Sequence, residues 1–267
     1  MSLRGFLLER HGRAACFSKP QTGHCQPRPT ILPLSAAFQH GAQKPAGDCR
    51  KNQIKFPEKD KYVNKINEYR KLMIDGQQKN GKDGGNLPTG ENVAEMEWSC
   101  DLERKATDAL NKKCNNEPVY HRSGTTIFYH PDNEQEAIDV WLSEINNTNI
   151  DLHDNPEAYV KCRSKSELKN YCNLVRYDAS RIGCAKKECD GKTAIICLTN
   201  KEPLKVEDVL YYWGSGACPK GSCRPPTYGC NHHIGLCFKP LPTTTMTTTV
   251  PIWKLECIGK LCRFIRA

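Results

Sequence analysis

The chain is 267 residues long, 38% hydrophobic and 26% charged, with 39 Lys+Arg against 30 Asp+Glu. No apolar run approaches the ~18 residues of a membrane-spanning helix, and wholesale disorder does not fit this composition. The net charge of +9 leaves no nucleic-acid footprint on the body: residues 1–47 hold six basic residues and one acid, residues 251–267 four and one, and residues 48–250 hold 29 and 28.

Residues 1–47 are rich in Pro, Gly, Gln and Arg without periodicity and read as a disordered basic leader or a misassigned N-terminus. Val63, Ile66, Tyr69 and Met73 recur at helical spacing and predict a helix over 60–80, with Gly81 as its stop. Val93, Met96, Leu102, Ala106, Ala109 and Leu110 predict a second helix over 91–113. Thr125–Tyr129 has strand character, and Ala137, Val140, Trp141 and Ile145 make one face of a third helix over 134–145. A long loop with a short helix is expected over 146–169. Arg181–Ala185 and Thr193–Leu198 read as a hairpin around Asp190-Gly191-Lys192.

From Tyr211 to Pro240, four cysteines and many glycines leave little to build a core, so disulfides are expected to hold this stretch. Residues 241–252 read as a Thr/Pro stalk open to O-glycosylation, and 253–267 as a basic tail.

Sixteen cysteines point to an oxidising compartment. No C-x-x-C pair of the kind that structural zinc prefers is present. Twelve cysteines between 49 and 237 are disulfide candidates: Cys49, Cys100, Cys114, Cys162, Cys172, Cys184, Cys189, Cys197, Cys218, Cys223, Cys230 and Cys237. Asn146-Asn147-Thr148 is an N-glycosylation sequon. Both signs indicate secretion, yet no signal peptide is evident, since Glu9 and Arg10 break the first apolar patch.

Four stretches, taken in order, resemble the nematode branch of the CAP superfamily, the SCP/TAPS or Ancylostoma secreted protein-like (venom allergen-like) group. They are Asn86-Leu87-Pro88 leading to Met96–Ala106, the Trp141-x-x-Glu144 helix, the Ile182-Gly183-Cys184-Ala185 hairpin with Ile195-Ile196-Cys197, and Tyr211–Gly214 through Gly235-Leu236-Cys237. The resemblance spans roughly 48–240. It implies an α+β fold, an α-β-α sandwich with a small cysteine-rich C-terminal extension: a domain over 48–210 and a hinge-like extension over 211–240.

The family's cavity carries two histidines and two acids. Glu144 matches one acid. Asn170 stands where a histidine belongs, Thr125 where the second acid belongs, and His121 is a loose match to the other histidine. Gly90-Glu91-Asn92 precedes the second helix and is a decoy for the family's G-E-N motif. Arg176 replaces a tryptophan. Two ligands do not hold zinc tightly, and neither Asn nor Thr titrates as a general base. The resemblance therefore implies a secreted, non-enzymatic protein with a degenerate tetrad, no cofactor and no metal. Its expected partner is an extracellular protein, as in host interaction or immunomodulation. A sterol or fatty-acid carrier is the alternative, and a metal-dependent hydrolase the third reading. Outside this set, His232-His233 reads as an exposed loop pair, and His130 as either a cavity or a surface residue.

Overall fold

The computed structural model describes residues 43–50, 53–112, 124–131, 136–152, 158–163, 166–189, 191–241, 253–258 and 261–266; residues 111–112, 189, 192, 253–258 and 261–266 are described by their backbone alone. His121, Cys114, Cys16, Cys25 and the Thr-rich stretch 242–252 fall outside these residues, as does the leader up to residue 42.

The elements run α1 (Lys59–Ile74), β1 (Gly90–Glu91), β2 (Glu97–Trp98), α2 (Cys100–Lys112), β3 (Thr126–His130), α3 (Ala137–Asn147) and β4 (Tyr159–Lys161). A 3-10 turn at Ser166–Leu168 leads into α4 (Lys169–Val175), followed by β5 (Arg181–Cys189), β6 (Lys192–Thr199), β7 (Val209–Trp213), β8 (Gly229–Asn231), β9 (Leu236–Phe238), β10 (Trp253–Ile258) and β11 (Leu261–Arg266). The main sheet has the order β2-β5-β6-β3, a second sheet β1-β7-β4, and β8-β9 and β10-β11 are two-stranded.

Period-two alternation in the main sheet separates two cores. Along β6, Ala194, Ile196 and Leu198 turn to α2 and pack on Leu102, Ala106, Ala109 and Leu110. Ile195 and Cys197 turn the other way and, with Ile182, Cys184 and Phe128, meet α1, α3 and α4. One helix on one face and three on the other make the α-β-α sandwich.

Three expectations change. The first helix stops at Ile74 rather than near residue 80, because Gly76 at φ +66° takes the left-handed conformation that ends it. The second helix begins at Cys100, not 91. Val93 and Met96 are buried in the main core from an extended stretch, and Asn92 has φ +57°. Ser99 caps α2, its Oγ accepting the Leu102 N–H at 3.3 Å, while Asp48 accepts from Cys100 N–H (3.0 Å) and Ser99 O–H (2.6 Å). Lastly, the cysteine-rich stretch does reach the core: Leu236, Cys237 and Phe238 are buried.

Lys44, counted with the leader, is ion-paired to Glu95 and Glu97 at 2.8 and 2.6 Å. Five disulfides join described residues: 49–100, 162–172, 184–197, 218–230 and 223–237. Among the described residues, no helix is long and apolar enough to cross a membrane.

Candidate functional site

Ala137, Ile138, Trp141, Leu142 and Ile145 make the buried stripe of α3. Glu144, one turn after Trp141, leaves that stripe on the side of α4. The 3-10 turn at 166–168 brings the first turn of α4 to meet it. Glu144 Oε2 accepts the N–H of Asn170 (2.9 Å) and of Tyr171 (2.8 Å), and Oε1 accepts from Asn170 Nδ2 (2.7 Å). The first N–H groups of a helix have no partner inside it, and a carboxylate there also meets the positive end of the helix dipole. Burial pushes the Glu144 carboxyl above its ordinary value, and the donors of Tyr171 and Asn170 offset this only in part. Asn170 thus faces Glu144 as a neutral donor. The Tyr171 hydroxyl behind it is buried without a hydrogen-bond partner among the described residues, and burial raises it well above the usual phenol.

Arg70, fully buried, holds the other end of α4. Its guanidinium donates to Leu174 O (3.1 and 2.7 Å), to Ala179 O (2.6 Å) and to Ala94 O. An acid at the N-terminus and a cation at the Leu174 carbonyl brace this short helix at both poles, and Arg70 ties that end to Ala179 and Ala94.

Thr125 sits one residue before β3, in a segment anchored elsewhere: Gly124 N–H donates to Glu202 Oε1 (3.0 Å) and Thr126 Oγ1 to Lys201 O (2.7 Å). Arg176 joins the same anchor, donating to Glu202 O at 2.5 Å and pairing with Asp178 at 2.6 Å. His130 packs edge-on to Trp141, and its buried Nε2 has no hydrogen-bond partner among the described residues. Of the expected set, Glu144 and Asn170 are joined by direct hydrogen bonds; His121 lies outside the described residues.

Glu91, set aside as a decoy, has a different task. It is buried and accepts from Ser215 N–H (3.3 Å), Ser222 N–H (3.5 Å) and Ser222 Oγ (3.0 Å), and it pairs with Arg224. Asn92 Oδ1 takes the Arg224 N–H at 2.7 Å. Gly90-Glu91-Asn92 thus clamps the cysteine-rich extension to the body. Burial raises the Glu91 carboxyl, but Ser215, Ser222 and Arg224 outweigh it and hold it below the ordinary value. Nothing in the sequence separated Glu91 from a solvated acid, because its partners lie more than a hundred residues away.

The sulfurs of Cys218, Cys223 and Cys237 lie within 4.8 Å of one another, yet all three are tied in disulfides and offer no thiolate to a metal. His232 and His233 are exposed, with His232 Nδ1 3.8 Å from the disulfide sulfur of Cys230. A cleft of about 440 Å³ lies at the start of α2, walled by Asp48, Lys55, Asp101, Arg104 and Asp108. Another of about 350 Å³ runs along α4 between Lys169, Asn173, Leu204 and Val206. Neither contains Glu144 or Asn170.

No curated protein matches the sequence. Solved structures do match at the level of fold. Na-ASP-1 superposes with TM-score 0.57 at 19% identity, over 73% of this chain and 48% of its own, so the chain spans about half of that protein. NaASP2 with Zn2+ gives 0.54 at 20%, covering 71% of this chain and 99% of its own; BmVAL-1 gives 0.54 at 22%, covering 74% and 100%. The profile of the CAP family, described as the cysteine-rich secretory protein family, matches residues 63–199, more than half of the chain. Those residues run from α1 through the β5–β6 hairpin, where both cores of the sandwich are built, and the chain belongs to the CAP family.

Proposed function

We propose that this protein is a secreted, non-enzymatic CAP protein of the nematode type that acts by binding another extracellular protein, as in host interaction or immunomodulation. One observation carries the reading: the Glu144 carboxylate is engaged by three neutral N–H donors of Asn170 and Tyr171, so it braces the first turn of α4. A general base or a zinc ligand needs free lone pairs beside a titrating partner or a convergent donor set. The disulfides supply what a binding protein needs, a rigid frame that loses little freedom on docking.

Zinc titration by calorimetry tests the site. The native protein is expected to bind no zinc at micromolar concentration, while Asn170→His, which sets an imidazole beside Glu144, is expected to gain affinity. Tight zinc binding by the native protein overturns the reading. For the partner, secreted protein immobilised on beads should capture a discrete set of extracellular host proteins, and recovery of background alone counts against it.

A second reading, an extracellular sterol or fatty-acid carrier, draws on the groove along α4, walled by Pro203, Leu204 and the exposed Val206. Its volume is at the small end of ligand pockets. Saturable binding of a sterol or fatty acid, lost in Val206→Asp, would favour the carrier.

A further inference from the structure

We infer that Asn146 carries an N-linked glycan that covers the corner of the molecule between the end of α3 and the turn at 77–86. The inference rests on the extracellular reading above, since oligosaccharide transfer belongs to the secretory route.

Asn146-Asn147-Thr148 is the single Asn-x-Ser/Thr of the chain. A sequon supports a glycan only where the folded protein leaves its asparagine in solvent and tolerates bulk there. Both conditions hold at Asn146. The buried stripe of α3 ends with Ile145, and the next two residues, Asn146 and Asn147, are exposed on the last turn. The helix stops at Asn147, and Thr148 is extended at φ −131° and ψ 130°, its N–H donating to Glu144 O at 3.2 Å. The sequon thus straddles a helix end. A sugar on Asn146 displaces no packed side chain and breaks no helix hydrogen bond.

The corner itself is polar and pinned. Asn80 exchanges two hydrogen bonds with the backbone of Ile150, Nδ2 to O at 2.9 Å and N–H to Oδ1 at 2.6 Å. The chain leaving α3 is thereby latched to the 77–86 turn. A glycan rooted here shields this corner, and partner contact falls on other faces.

In the transfer, Asn146 Nδ2 attacks the anomeric carbon of an oligosaccharide borne on a polyprenyl pyrophosphate. The N–C1 bond forms, the C1–O bond to phosphate breaks, the amide loses one proton and the lipid pyrophosphate leaves.

The test uses the full chain, expressed from its native gene and, separately, behind a heterologous signal sequence in eukaryotic cells. Protein from the medium is expected to exceed its polypeptide mass. Peptide-N-glycosidase should remove the N-linked part of that excess and leave Asp at position 146. The enzyme readout is needed because threonines at 243–249 are open to O-linked sugar, which it does not release. Asn146→Gln and Thr148→Ala should abolish the releasable mass, whereas Thr148→Ser should keep it. Folded, oxidised protein in the medium with no releasable mass overturns the glycan and leaves the extracellular reading standing. A native product retained in the cell with free thiols overturns both.

Discussion

Glu144 and Glu91 are both carboxylates gathered by N–H donors from elsewhere in the chain, yet folding moves them in opposite directions. At Glu144 burial prevails and the folded value is raised; at Glu91 the serine donors and Arg224 prevail and the value is lowered. A lowered carboxyl contributes stability that is fully present above its ordinary 4.5 and is lost as pH falls through the folded value. A raised one contributes below 4.5 and loses that contribution as pH rises through the folded value. In urea unfolding from neutral pH to below 4.5, Glu91→Gln is therefore expected to show a shallower acid decline than the native protein; an unchanged slope would sink this assignment. Glu144→Ala strands two backbone N–H groups and the Asn170 amide in a half-buried place. It should cost about 3 kcal/mol by denaturant unfolding, whereas a loss below about 0.5 kcal/mol would show that the brace is ornamental. Glu144 was legible through the resemblance of Trp141-x-x-Glu144 to the family's helix motif. Glu91 was not, because its burial comes from a segment that starts more than a hundred residues later.

At the scale of elements, periodicity located helices and strands but misjudged where two helices meet their neighbours. α2 was read nine residues too early, since Val93 and Met96 are apolar for a different reason: they enter the main core from an extended stretch. What sets the start of α2 is the Ser99 cap with Asp48 laid against it, a contact from across 51 residues of chain. The same end of α2 lies tight on β5. A Cβ added at Gly183 would sit 2.2 Å from Glu103 N and 2.5 Å from Ser99 O, both backbone atoms that cannot step aside cheaply. Gly183→Ala is expected to lower stability by about 2–3 kcal/mol in urea unfolding, with greater hydrogen-exchange loss over α2 than over α1. Uniform loss across both helices would mean that Gly183 does not control this contact.

At the scale of the molecule, disulfides and one polar clamp complete what a main hydrophobic core and a smaller one begin. The extension is held by two disulfides of its own and by Glu91 and Asn92 of the body, with Leu236 entering the main core. Intact mass of secreted protein, reduced against non-reduced, should rise by at least two hydrogens for each of the five bridges between described residues. A smaller gain would remove the oxidised frame on which the binding role rests. Sequence by itself determined the fold class, the family and the oxidising chemistry. These rest on local period, residue type and the order of short motifs, which the chain carries without folding. The tertiary structure alone decided which cysteines pair, that Asn170 offers its amide to Glu144, that Arg70 closes the far end of α4, and that Gly90-Glu91-Asn92 is a clamp. Each of these is a contact between distant residues, and a hydrogen bond or disulfide forms only where packing brings donor, acceptor or sulfur within a few ångströms.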